Sequence, residues 1–72
     1  MDDLLKYEII IYWSDEYNHF IAEVPELSGC MSDGKSYEDT IKNVKIIMKE
    51  WIETAKEEGI PIPKPKGKLR YA

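Results

Sequence analysis

The sequence predicts an α+β fold, in which one small antiparallel sheet of three short strands is packed by one long helix. β-forming residues alternate in two segments before residue 25, which is typical of half-buried strands. Apolar residues then recur every three or four positions across residues 37–58, which is typical of an amphipathic helix. With 72 residues, the chain has the length of a single domain.

Three strands are predicted in order along the chain. The first, Lys6–Trp13, is rich in β-branched and aromatic residues and is largely apolar on both faces. Its faces carry Tyr7, Ile9, Ile11 and Trp13 on one side and Glu8, Ile10 and Tyr12 on the other. A polar hairpin loop, residues 14–18, leads to a second strand, His19–Val24, and Cys30–Ser32 forms a short third strand.

The segment between the second strand and the helix consists mainly of turn and cap residues. Pro25 has no N–H to donate, so it ends the second strand. Gly29 and Gly34 are expected to supply the positive φ of tight turns. Ser36 followed by Asp39 three residues later matches a capping box at a helix start. We interpret these positions as scaffold rather than as a functional site.

The helix is predicted from Tyr37 to about Glu58, with Gly59 as its left-handed end residue and Ile60 folding back in a Schellman-type cap. Its apolar stripe should lie on the sheet and consists of Tyr37, Ile41, Val44, Met48, Trp51, Ile52 and Ala55. Residues 1–65 then form the domain, and residues 66–72 form a basic tail in which Lys68–Tyr71 could make a short edge strand.

Charge is distributed unevenly along the chain. The net charge is −4, but residues 1–60 carry all 14 acids and 6 of the 10 bases, so this part has a charge of −8. The last twelve residues carry +4. An acidic body argues against binding a phosphate backbone and suits a basic partner, although such charge also simply aids solubility.

Few residues have side chains suited to catalysis or metal binding. A single cysteine, Cys30, excludes an internal disulfide, and a single histidine, His19, excludes the usual zinc sets. The lone cysteine and the lack of an export signal favour the reducing cytoplasm. Cys30 is expected to be a small buried hydrophobe. Glu8 and Glu23 are single acids on adjacent strands, a weak case for a metal-dependent nuclease. No cofactor is expected, and the longest apolar run, Ile9–Trp13, is too short to span a membrane.

Apolar residues that the helix does not cover predict an interface. Ile10, Tyr12 and Ile21 belong to the second face of the sheet, and Ile46 lies on the polar side of the helix. A chain this short has a marginal core, so we expect these residues to support a homodimer or higher oligomer. For Ile46, ordinary surface exposure is an equally good interpretation.

Several segments together resemble the HicB-like antitoxin family. Residues 20–30 match an aromatic-x-A-x-V-P-acidic-L-x-G-C pattern, residues 34–39 match its helix start, and residues 59–63 match its G-x-x-I-P ending. The likeness also includes Tyr7 to Ile11 and covers about residues 5–65, nearly the whole chain.

The resemblance implies a partial, degenerate RNase H-like fold, β-β-β-α-β, without nuclease activity. It implies that the protein neutralises a small, basic, mRNA-cleaving HicA-like toxin by direct binding, and that it forms dimers or larger assemblies. Many family members carry a C-terminal DNA-binding domain; this sequence stops at Ala72, so direct DNA binding is not expected. The alternatives are a vestigial RNase H-like nuclease or nucleic-acid-binding module, and an orphan oligomeric accessory protein with no toxin.

Overall fold

The chain folds as a three-stranded antiparallel sheet followed by one long helix, which confirms the predicted α+β class. The structure, a computed structural model, describes residues 6–66. Its elements are β1 (Ile10–Ser14), β2 (His19–Glu23), β3 (Met31–Gly34) and α1 (Tyr37–Glu58). β2 is the central strand and pairs antiparallel with both neighbours. The edge strand predicted at Lys68–Tyr71 lies outside the described residues.

β1 begins at Ile10 rather than at the predicted Lys6, because the described residues before Ile10 do not pair with β2. The N–H of Val24 donates to the carbonyl of Cys30 on the β3 side (3.0 Å). Successive N–H groups of a strand point to opposite edges, so the next one would face β1. That residue is Pro25, which has no N–H. The β1–β2 ladder therefore ends there.

The loop after β2 carries Leu27 into the core. Two tight turns form it: the Leu27 N–H donates to the Val24 carbonyl (3.1 Å), and the Cys30 N–H donates to the Leu27 carbonyl (2.9 Å). Gly29 has φ +76°, which confirms the left-handed conformation predicted for it. Leu27 is completely buried as a result.

Gly34 serves a purpose different from the predicted one. It lies at the end of β3 and does not have a positive φ, so that expectation is wrong. A Cβ at this position would lie 2.7 Å from both the backbone nitrogen and Oγ1 of Thr40. Thr40 is itself fully buried, and its hydroxyl donates to the Ser36 carbonyl (2.6 Å). Glycine is needed here because the first turn of α1 passes directly against the strand.

Both ends of α1 have the predicted caps. At the start, the Oγ of Ser36 accepts a hydrogen bond from the Asp39 N–H (3.1 Å). At the end, Gly59 has φ +71°, and the Ile60 N–H donates to the Ala55 carbonyl (2.8 Å). This six-residue bond is the defining contact of a Schellman motif.

The core lies between α1 and one face of the sheet. It consists of Tyr7, Ala22, Val24, Leu27, Cys30, Val44 and Met48. The predicted helix stripe is correct in its middle but wrong at its beginning, where Tyr37 and Ile41 are exposed. The first turn of α1 meets the sheet through Thr40, which is fully buried against Gly34. Tyr37 and Ile41 lie to the side of this contact line and are therefore exposed.

Candidate protein interface

The sheet face turned away from α1 is rich in large apolar side chains. Cross-strand pairing aligns its residues in two rows, Ile10–Glu23–Met31 and Tyr12–Ile21–Asp33. Ile10 is 39% exposed, Tyr12 40% and Met31 48%. We call this surface the open face. Because directly paired residues point to the same side of a sheet, these side chains form one contiguous surface.

Glu23, the acid within the first row, already has a hydrogen-bond donor. The carboxylate of Glu23 accepts a hydrogen bond from the hydroxyl of Tyr12. That bond, followed by desolvation and by the negative charge of Glu23, raises the pKa of Tyr12 above its ordinary value. Tyr12 therefore stays a neutral donor to the Glu23 carboxylate.

Ile21 lies on the open face as predicted, but it is only 8% exposed. The expectation that its side chain is left in water is therefore wrong: its neighbours in the monomer already cover it. Met31, which the sequence analysis did not assign to an interface, is instead exposed on this face. The alternation from buried Cys30 to the next residue is the signal that could have found it.

Ile46 does not belong to the open face. It is 54% exposed on the outer side of α1, and α1 covers the opposite side of the sheet. The structure thus brings Ile10, Tyr12 and Ile21 together and places Ile46 on another surface of the molecule.

A groove of about 470 Å³ lies between α1 and residues 28–30. Its apolar lining includes Cys30, Ile47, Trp51, Ala55 and Ile60. The indole N–H of Trp51 donates to the Ser28 carbonyl (2.9 Å), which fixes the ring in the wall. Glu50 also lines the groove and is exposed. Sequence patterns do not predict this groove, because it forms between segments distant along the chain.

The extended segment after α1 returns to the body of the domain. The Tyr7 hydroxyl donates to the Pro63 carbonyl, and the Lys66 N–H donates to Oε1 of Glu26 (3.1 Å). Burial, and to a smaller extent the charge of Glu26, raise the pKa of Tyr7. Oε2 of Glu26 is buried with no hydrogen-bond partner among residues 6–66.

The residues considered for catalysis lie in different parts of the structure. Cys30 lies in the core, and burial raises the pKa of its thiol. His19 donates from Nδ1 to the Tyr17 carbonyl in the hairpin (3.0 Å), and Glu8 precedes β1. Within residues 6–66, no three His, Cys, Asp or Glu side chains are grouped to hold a metal ion. Over the same range, no helix has the length and apolar character needed to cross a membrane.

The fold and surfaces are those of a small α+β domain with several candidate contact surfaces, and comparison with known proteins gives its family. A family profile described as a HicB-like antitoxin of bacterial toxin–antitoxin systems matches residues 7–70. The chain therefore belongs to the HicB-like antitoxin family, as the resemblance predicted.

Curated relatives are UPF0150 proteins from diverse organisms. One from Synechocystis sp. is 36% identical over 59 residues, which cover 82% of this chain and 80% of the relative. One from Thermoplasma acidophilum is 33% identical over 60 residues, 83% of this chain and 86% of the relative. One from Helicobacter pylori is 54% identical over 28 residues, 39% of each chain. No solved structure matches the chain significantly.

Proposed function

We propose that this protein is an antitoxin that neutralises a small, basic, mRNA-cleaving HicA-like toxin by binding it directly. Membership of the HicB-like antitoxin family over residues 7–70 is the observation that carries the proposal. In this role the protein is a binding inhibitor rather than an enzyme. Because the toxin's target is mRNA, the antitoxin acts in the cytoplasm.

The charge of the domain supports a basic partner. Residues 1–60 have a charge of −8, and opposite fields on two proteins accelerate their encounter. Part of this charge lies along α1, where Glu50, Glu53 and Glu57 are all exposed. Spacings of three and four residues place these acids on one side of a helix.

The open face is the self-association surface in this proposal. Ile10, Tyr12 and Met31 are partly exposed there, and burying a large apolar side chain fully contributes about 1.5–3 kcal/mol. Ile46, on the outer side of α1, is a secondary contact. We also propose a partial RNase H-like fold, which the element order β-β-β-α supports and which superposition of an experimental structure of the chain tests.

Co-expression with a HicA-like protein encoded in the neighbouring reading frame tests the antitoxin role. We expect the antitoxin to restore growth and to co-elute with the toxin. The association rate should fall as salt rises, and replacing Glu53 and Glu57 with Gln should slow it at low salt only. A toxin that neither binds nor is neutralised contradicts the proposal. Mg²⁺-dependent cleavage of an RNA–DNA hybrid, lost in Glu8→Gln, would establish a nuclease instead.

A further inference from the structure

We propose that the groove between α1 and residues 28–30 receives a cationic side chain, arginine or lysine, from the protein partner. The identity of that partner rests on the proposed function. The groove itself indicates that the partner's side chain is cationic, because of its volume, its aromatic wall and its carboxylate.

The groove has the size and lining for a long side chain with an apolar stem. Its volume of about 470 Å³ exceeds that of the depression beside Ile21, which is about 250 Å³. Ile47, Trp51 and Ala55 line it at successive spacings of four along α1, and Ile60 lines it after the helix cap. Arginine and lysine bury their methylene stems on such surfaces while the charged head stays near water.

Trp51 provides a fixed aromatic wall. Its indole N–H is held by the Ser28 carbonyl at 2.9 Å, so the ring does not need to be ordered when a ligand arrives. A guanidinium or ammonium group near the face of tryptophan is attracted by the ring quadrupole. A preorganised tryptophan therefore favours a cation over an uncharged group of the same shape.

Glu50 gives the groove its charge preference. Its side chain is exposed, and it lines the same groove as Trp51. The depression beside Ile21 on the open face also has an exposed carboxylate, that of Asp33. The groove is preferred for a basic side chain because it combines a carboxylate with a larger volume and with Trp51.

The described part of the chain's own basic tail is held elsewhere. Its backbone is bound at Pro63 by Tyr7 and at Lys66 by Glu26, and none of these four residues lines the groove. Among residues 6–66, no basic residue of the tail lines the groove, and we assign the cation to another protein chain as part of the proposal.

An NMR titration of the full chain tests the groove without any toxin. The probe is the peptide acetyl-Gly-Arg-Gly-amide, and its control contains citrulline, which has the shape of arginine without the charge. We expect shifts at Gly29, Glu50 and the Trp51 indole N–H, with the citrulline peptide binding about threefold more weakly or worse. Glu50→Gln should weaken the arginine peptide by about the same factor, whereas Glu53→Gln should leave it unchanged.

Three results of this titration would overturn the proposal. The first is equal binding of the arginine and citrulline peptides, and the second is shifts that avoid the groove. The third is concentration-dependent shifts of the same resonances without peptide, which would make the basic tail of a second copy the occupant.

A second measurement separates this inference from the proposed function. Glu50→Lys should weaken binding of an inactivated HicA-like toxin by about tenfold or more, while Glu16→Lys, the same change in charge in the exposed hairpin loop, should weaken it much less. Toxin binding that is equally sensitive to both variants contradicts the groove and leaves the antitoxin role intact. Failure of the wild type to bind toxin, with arginine binding preserved, contradicts the antitoxin role instead.

Discussion

The two faces of the sheet differ in what covers their side chains. The face under α1 carries large residues such as Phe20, but its small positions, Ala22 and Gly34, let the helix approach closely. On the open face, Tyr12 and Met31 remain partly exposed. The covered face therefore accounts for stability, whereas the exposed large residues of the open face have no such role within the monomer.

The largest effect should come from the covered face. Met48→Ala removes a fully buried side chain and should lower the free energy of unfolding by about 2–5 kcal/mol, because the core cannot close the cavity completely. Ile46→Ala, two residues earlier on the exposed side of the same helix, should cost about 0.5 kcal/mol or less. Urea unfolding at a single protein concentration measures both.

The loss at Met48 is large enough to unfold a domain of this size. Met48→Leu keeps most of the volume and should cost less than about 1.5 kcal/mol, so it provides a folded variant for comparison. Equal losses in Met48→Ala and Ile46→Ala would contradict the assignment of the two sides of α1.

The second effect concerns two glycines that are needed for different reasons. Gly34→Ala should cost about 1–3 kcal/mol, because its Cβ would meet backbone atoms of Thr40 at less than 3.0 Å. Gly29→Ala meets no atom within 4 Å but must adopt φ +76°, which should cost about 1 kcal/mol.

Chemical synthesis with D-alanine tests the cause assigned to Gly29. D-alanine favours positive φ, so it should restore stability at position 29. At position 34 D-alanine is no test of the contact, because its side chain leaves Cα in a direction different from the one that meets Thr40. Lack of recovery with D-alanine at position 29 would contradict the left-handed conformation as the reason for that glycine.

These glycines also show how far the sequence could predict the fold. Local signals were sufficient for the element order, for the caps at Ser36 and Gly59 and for the turn at Gly29, since each depends on residues next to it in the chain. The positive φ predicted for Gly34 is wrong because the need for glycine there comes from Thr40, which packs against it in space. A single sequence carries no direct signal for such a contact.

The candidate contact surfaces were predictable to a similar extent. Alternation along the strands placed Ile10, Tyr12 and Ile21 on one face correctly, because strand periodicity is a local property. Burial depends on neighbouring strands, so the coverage of Ile21 and the exposure of Met31 were missed. The groove beside Trp51 needs residues 28–30 folded against α1. Helical periodicity places Trp51 on the apolar stripe, but no periodic pattern predicts where this loop lies.

A third, smaller effect tests whether the open face is an interface. Tyr12→Glu should convert the assembly to monomers and cost about 1 kcal/mol per protomer, because Tyr12 is already partly covered in the monomer. Sedimentation velocity and the melting temperature at several protein concentrations measure the change.

Ile46→Glu is the matched control and should have less effect. A wild-type protein that is monomeric at high micromolar concentration would contradict self-association, and dissociation only in Ile46→Glu would move the interface to the helix.

The smallest effect compares two tyrosines, one buried in the core and one on the open face. Tyr7 is buried and donates to the Pro63 carbonyl, whereas Tyr12 is exposed and donates to Glu23. Tyr7→Phe should cost about 0.5–1 kcal/mol at neutral pH through the lost hydrogen bond, and Tyr12→Phe should cost less.

The pH dependence gives the sharper test of the two tyrosines. Burial and the charge of Glu26 raise the pKa of Tyr7 above its ordinary value of 10.0, so the folded state holds this proton more tightly than the unfolded state. Its contribution to stability is therefore complete below pH 10 and is lost as the pH rises through the pKa of the folded state. Tyr7→Phe should flatten this alkaline loss. Cys30, whose pKa is also raised by burial, titrates equally in both proteins and cancels from their difference. Urea unfolding between pH 8 and pH 11 measures the slope, and an unchanged slope in Tyr7→Phe would show that the folded state does not hold the Tyr7 proton more tightly than the unfolded state.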